Sequence, residues 1–243
     1  MQNWALTDPG CVRLQNQDTY LIEPLDRGTL LCVVCDGMGG ANSGNVASSL
    51  AAEVFVQEVK RSYTPLMDQE KVDRMLQGAV KLANFTVYDQ SEQFEEFTGM
   101  GTTLVSLLIR GKDVTVVNVG DSRAYCVDRA GIHLLTVDHS LVQMMVERGE
   151  LTPECARSYP GKNFITRAIG TEPVVEIGLF HRRVERGDCL LLCSDGLSNM
   201  MDDQEILFEV AHGINKQYCC QRLLEIAKNR GAPDNVTSVL VQI

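Results

Sequence analysis

The sequence has no apolar run approaching the ~18 residues that span a bilayer, which excludes a transmembrane helix. Its first residues, MQNWALTDPGCVRLQNQD, lack a basic region followed by an apolar stretch, so no secretory signal is expected. Basic charge is in short supply. The 22 Lys and Arg face 32 Asp and Glu, for a formal net charge of −10. That balance argues against a nucleic-acid binder, whose footprint is usually basic. No Pro-, Gly- or Ser-rich linker interrupts the chain and nothing in it is low in complexity, so residues 1–243 read as one domain.

What is present fits a globular protein with a real core: 44% of residues are hydrophobic. The nine cysteines are odd in number and scattered. Without a signal peptide they point to a reducing, cytoplasmic setting and not to a disulfide framework. Cys32-x-x-Cys35 and Cys189-x-x-x-Cys193 could be imagined as a zinc set. Both pairs lie inside apolar runs, LLCVVC and CLLLC, where free cysteine acts as a small buried hydrophobe. The helical pair Cys219 and Cys220 gets the same reading.

Along the chain the pattern is mixed. Residues 19–23 and 29–35 read as a strand pair about the turn Asp26-Arg27-Gly28. Helices are expected from about Ser43 to Lys60 and from about Asp68 to Gln93, each with an apolar stripe. A meander of strands follows at 102–109, 114–119 and 123–127, then IHLLT, joined by short turns that imply antiparallel pairing. A short helix starts at Ser140, where Ser140 and Gln143 fit a capping box, and another starts at Thr152-Pro153-Glu154. Residues 156–170 begin as an irregular surface excursion. The run DCLLLC is followed by a helix capped by Asp202 and Glu205. The last helix runs from about Lys216 to Arg230, before a final strand in NVTSVLVQI. Paired helices and hairpin strands make this an α+β chain.

Five acids stand at strand boundaries: Asp18, Asp36, Asp121, Asp195 and Asp234. Any one Asp-Gly is ordinary turn chemistry. As a set they are harder to dismiss, because carboxylates at the ends of buried strands repel one another unless a cation neutralises them. Hard oxygen ligands without a histidine cluster select magnesium or manganese over zinc. Gly37, behind Asp36, lets a backbone carbonyl approach a cation, and Gly39 and Gly40 loosen the turn into the next helix. Arg13 alone is an ordinary surface arginine. Beside metal-binding acids, its guanidinium fork suits bidentate phosphate contact. Two metals about 3.5–4 Å apart can share a water, lower its pKa and aim it in line at phosphorus.

The ordered series RLQNQD, DGMGG, MGTT, GDSR, DHS, LTP, ITRAIG, SDGL and DNVTSVLV resembles the metal-dependent Ser/Thr protein phosphatases of type 2C (PPM), in particular their compact bacterial branch. The resemblance runs from about Arg13 to the C-terminus. It implies a four-layer αββα sandwich, two antiparallel β-sheets flanked by helix pairs. It implies hydrolysis of phosphoserine and phosphothreonine on proteins by a water bridging two manganese or magnesium ions, with no phosphoenzyme. In that picture Asp36 bridges both ions, Gly37 gives a carbonyl to one, and Asp195 and Asp234 complete the other. Asp18 acts through a metal-bound water or behind the ligands. Asp121 contributes to a third site, Asn235 supports metal-bound waters, and Arg13 holds the substrate phosphate. A mobile flap would lie at about 150–168. The implied partners are phosphorylated proteins, including a Ser/Thr kinase. No nucleic acid or membrane is implied, and a monomer is expected.

Two departures from the family pattern matter. Met38 stands where animal relatives keep a histidine, and Met cannot donate a proton to the leaving oxygen. The flap reads SYPGKN, where relatives often show His-Pro and an arginine, so Tyr159 and Lys162 change its polarity. His139 is read as stabilising a loop and helix start, and His133, His181 and His212 show no partner pattern. No cysteine opens a Cys-x5-Arg loop, which speaks against a cysteine nucleophile. The rival readings are an inactive phosphoprotein-binding relative, a dedicated phosphatase of one regulator, and a metal-dependent nuclease.

Overall fold

The computed structural model describes residues 1–39, 43–156, 159–213 and 215–243; Gly40 of the glycine turn and Ser158 of the flap lie outside them. Eleven strands are present among these residues: β1 (Gln2–Asp8), β2 (Asp18–Asp26), β3 (Thr29–Met38), β4 (Gly101–Thr102), β5 (Leu104–Arg110), β6 (Asp113–Val119), β7 (Arg123–Asp128), β8 (Gly131–Leu134), β9 (Gly178–Arg183), β10 (Cys189–Cys193) and β11 (Val236–Gln242). The helices are α1 (Gly44–Ser62), α2 (Gln69–Gln93), α3 (Leu141–Glu147), α4 (Pro153–Ala156), α5 (Asp195–Ser198), α6 (Asp203–His212) and α7 (Lys216–Asn229).

The strands form two antiparallel sheets. One runs β1-β11-β10-β7-β8, the other β2-β3-β5-β6-β9, with the short β4 on the tip of β3. Side chains alternate across a strand, and in β3 the alternation explains the unbroken apolar run. Leu31, Val33 and Cys35 pack under α1 and α2. Leu30, Cys32 and Val34 face the other sheet. β10 does the same: Cys189, Leu191 and Cys193 meet α6 and α7, while Leu190 and Leu192 join the layer between the sheets. The layers are therefore helix, sheet, sheet, helix, as the resemblance implied.

This alternation also disposes of the zinc reading. Cys32 and Cys35 point to opposite faces of β3, each fully buried. Burial alone pushes the Cys32 thiol up to about 12, which is the behaviour of a core side chain and not of a ligand.

Several local expectations need correction. A strand precedes the first one read from sequence: β1 pairs with β11, Gln2 opposite Gln242. Asp18 is consequently the first residue of the second strand. β9 is a further strand, paired along β6. Ser140 caps α3 by accepting from the Gln143 N–H at 3.3 Å, but the Gln143 amide turns to Glu147, so the reciprocal half of a capping box is not made. The full box forms at α6, between Asp202 and Glu205. All three of the histidines read as lacking a partner have one: His133 meets Asp128 at 3.2 Å, His181 meets Asp73 at 3.0 Å, and His212 Nδ1 meets the Phe208 carbonyl at 3.1 Å.

Candidate active site

Asp36 sits at the tip of β3, and its backbone is held on both sides. Its N–H donates to Thr103 Oγ1 at 2.9 Å, and its carbonyl accepts from the Thr103 N–H and from Thr102 Oγ1, each at 2.9 Å. Thr103 Oγ1 also meets Ser122 Oγ at 2.7 Å. The MGTT and GDS motifs thus meet behind the acid, and Ser122 adjoins Asp121. Gly37 is required by close approach. A Cβ there would stand 2.0 Å from the Gly44 carbonyl oxygen and 2.7 Å from that of Gln17. The strand tip, the start of α1 and the loop before β2 therefore converge on Gly37.

Asp18 lies opposite Asp36 in the β2–β3 register and is buried. Its Oδ2 accepts from Ser194 Oγ at 2.7 Å and from Thr237 Oγ1 at 2.6 Å. Its Oδ1 is buried with no hydrogen-bond partner. Ser194 adjoins Asp195 and Thr237 is the second residue of β11, three after Asp234, so Asp18 ties the two sheets together where the acids cluster. Asp195 opens α5 and accepts from Asn199 Nδ2 at 2.9 Å. A Cβ on Gly196 would meet the Asn235 carbonyl oxygen at 1.9 Å, so the Asp195-Gly196 and Asp234-Asn235 corners touch.

The electrostatics show how closely the five acids are gathered. Burial raises the Asp36 carboxyl well above its usual range, and Asp18, Asp195, Asp121 and Asp234 raise it further. Asp18 is pushed up to about 6, chiefly by burial, against the pull of its two hydroxyl donors. Asp195 is also pushed up to about 6, by burial and then by Asp234, and it shares a hydrogen bond with Asp36. Burial and Asp195 push Asp121 up to about 8. Among the described residues, no three His, Cys, Asp or Glu side chains enclose an ion unaided. Magnesium sites characteristically use one or two carboxylates and keep several waters, so this spacing suits hard cations that share their shells with carbonyls and water.

Arg13 is brought to the acids, as its place before a strand suggested. It lies in the exposed loop between β1 and β2, and its Nη2 donates to Asp234 Oδ2 at 2.8 Å. Asn235 anchors the same loop. Its Nδ2 donates to the carbonyls of Pro9 and Gln15, both at 3.0 Å, and its Oδ1 accepts from the Gln17 N–H at 2.8 Å. Both amide hydrogens are thereby committed to the loop that carries Arg13. Ser194, Thr237, Thr102, Thr103 and Ser122 were not singled out from sequence. Each lies inside one of the quoted motifs, Thr102 and Thr103 in MGTT, Ser122 in GDSR, Ser194 in SDGL and Thr237 in DNVTSVLV.

A cavity of about 550 Å³ adjoins the acids. Asp121 and Asp195 belong to its wall, together with Arg123, Asp138, α3 and Lys162 of the flap. Arg123 grips Asp138, with Nη2 to Oδ2 at 2.6 Å. Met38 is half-buried at the strand tip. His139 is buried and burial holds it down to about 4, so it stays neutral.

The protein phosphatase 2C family model matches residues 12–226. The chain is 34% identical over 236 residues to the serine/threonine phosphatase stp of Listeria monocytogenes, covering 97% of this chain and 93% of that protein. The crystal structure of serine/threonine phosphatase Stp1 from Staphylococcus aureus matches with a TM-score of 0.92 and 36% identity, over 100% of this chain and 94% of that one. A structure of the catalytic domain of serine threonine protein phosphatase PstP in complex with 2 manganese ions matches with a TM-score of 0.84 and 32% identity, over 99% and 97% of the two chains. The chain belongs to the protein phosphatase 2C family. It is a protein serine/threonine phosphatase of the compact bacterial kind.

Proposed function

We propose that this chain, as a single domain, hydrolyses phosphoserine and phosphothreonine on proteins with the help of two divalent ions, manganese or magnesium. The observation that carries the reading is a surplus of negative charge at the junction of the sheets. Asp36 is raised by four other carboxylates, and Asp18 Oδ1 is buried without a partner. Arg13 offsets Asp234 at 2.8 Å, and the remaining set of hard oxygens, with no ion pair to Asp18, Asp36, Asp121 or Asp195 among the described residues, fits such ions. Asp36, the Gly37 carbonyl, Asp195 and Asp234 would hold the two ions, with Asp18 behind them and Asp121 at a third site.

When bound, the ions would supply Lewis acidity and lower the pKa of an attacking water. The remaining work falls to the chain itself. Arg13 has five N–H donors in a rigid fork, and among the described residues Nη2 is engaged, by Asp234. The others would orient the substrate phosphate, with Asn235 fixing the loop behind them. The leaving serine or threonine oxygen would take its proton from water or another acid, because Met38 carries none. The natural substrates would be products of a Ser/Thr kinase, met in the cytoplasm by a monomeric enzyme.

The test is phosphate release from phosphoserine and phosphothreonine peptides, with manganese or magnesium and with chelator. Ion-dependent release supports the proposal. A folded chain with no ion-dependent rate would be an inactive relative, and the reading would fall. Asp121→Ala should weaken turnover and leave the two main sites filled in a calorimetric titration. Loss of every site would remove Asp121 from the third-site role.

A further inference from the structure

We propose that His139 is a positioning residue, fixing the loop that carries Asp121 and tying it to the stem of the 150–168 excursion. This rests on the reading of Asp121 as part of the active site. The loop Gly120-Asp121-Ser122 joins β6 to β7, and one residue takes both backbone groups of Gly120. The Gly120 N–H donates to His139 Nδ1 at 3.1 Å, and the His139 N–H donates to the Gly120 carbonyl at 2.9 Å. Nδ1 therefore bears no proton, and Nε2 carries it. Asp138, the residue before, is gripped by Arg123, the residue after the loop. Asn118 Nδ2 closes the same corner, donating to the carbonyls of Gly120 at 3.2 Å and Val137 at 3.1 Å.

The segment His139-Ser140-Leu141 holds the excursion. The His139 carbonyl accepts from the Thr166 N–H at 2.8 Å, and the Leu141 N–H donates to the Phe164 carbonyl at 2.8 Å. Ser140 and Ile165 form a β-bridge between them. From the stem, the contacts run through His139 to Gly120, and from Ser122 through Thr103 to the backbone of Asp36. Lys162 and Asp121 line the same cavity, and His139 links the stem to the loop of Asp121 by its ring nitrogen as well as its backbone. The part played by the ring nitrogen is chemically specific, since it is the acceptor of the buried Gly120 N–H, and a buried N–H left without its acceptor is costly.

The experiment is a double-mutant cycle. His139→Leu and Asp121→Ala are made singly and together, and manganese-dependent kcat and KM on an aryl phosphate are measured with the thermal midpoint and amide hydrogen exchange. His139→Leu should lower kcat about tenfold, as expected for one buried hydrogen bond, with KM little changed. On the Asp121→Ala background the same change should lower kcat less than about twofold. The thermal midpoint should fall equally in both backgrounds. His139→Asn, whose Oδ1 falls near the place of Nδ1, should restore kcat. Exchange should rise together at 119–122 and 164–166 in His139→Leu.

Losses that multiply in the double variant, or failure of His139→Asn to restore kcat, would overturn the proposal while leaving Asp121 in its role. Faster exchange at 119–122 alone would overturn the tie to the stem. Wild-type kcat in folded Asp121→Ala would instead remove Asp121 from the active-site reading, and the proposal with it. Should His139→Leu fail to fold, His139→Gln replaces it, with the same outcomes on either side.

Discussion

Asp18 is a carboxylate held where its charge is disfavoured: buried, with one oxygen bonded twice and the other not at all. Its carboxyl rises from an ordinary 3.8 to about 6, with Asp195 at about 6 and Asp121 at about 8. Groups raised on folding bind more protons in the folded chain than in the unfolded one. Their stabilising contribution is full below the unfolded value and is lost as pH rises through the folded one. His139, lowered to about 4, acts in the opposite sense, but only below its ordinary value of 6.5. Between about pH 6.5 and 8 the carboxyls therefore decide the sign. In chelator, the thermal midpoint should fall as pH rises across that window, and manganese should reverse the trend. A flat or rising midpoint in calorimetry would refute this. Asn235 acts at the same scale. Asn235→Ala should raise KM for phosphopeptides by loosening the Arg13 loop, and should cost about 1–3 kcal/mol of stability for the buried groups it leaves unpaired; phosphopeptide kinetics and urea unfolding read the two effects. The acids themselves were legible, because each follows or precedes an apolar run. The partners of Arg13 and Asn235 were not, because they lie more than 200 positions away in the chain.

Strands buried on both faces announced themselves. β3 from Leu30 to Cys35 and the whole of β10 are apolar because α-helices cover one face and the opposite sheet covers the other. β1 and β9 did not. Both are edge strands, with exposed polar residues, and their pairing lies with a distant strand. QNWALTD and GLFHRR look like loops until β11 and β6 are laid beside them. The tip of β3 carries a prediction of its own. Gly37→Ala would force a Cβ against the Gly44 and Gln17 carbonyls, and should cost about 1–3 kcal/mol. It should also lower turnover by shifting Asp36. Denaturant titration alongside kcat would show both effects. Unchanged values would mean that the close approach is not needed.

The whole molecule is two sheets that present their acids to one another at a shared end. The layer between them carries Leu107, Val116, Leu190 and Val239, all fully buried. Leu107→Ala should cost about 2–5 kcal/mol in urea unfolding. Seven of the nine cysteines are buried, so the odd count reflects packing more than chemistry. The four-layer order followed from the motif series and not from periodicity, which separated helices from strands without assigning strands to sheets. The central claim is that clustered carboxylates hold the ions that drive phosphate release. Its most direct test is turnover of a phosphothreonine peptide by wild type and Asp36→Asn, in manganese and in chelator, with circular dichroism to confirm the fold. The account predicts no turnover in chelator and a loss of at least about a hundredfold in folded Asp36→Asn. Turnover that survives chelation, or near-normal turnover by Asp36→Asn, would contradict it.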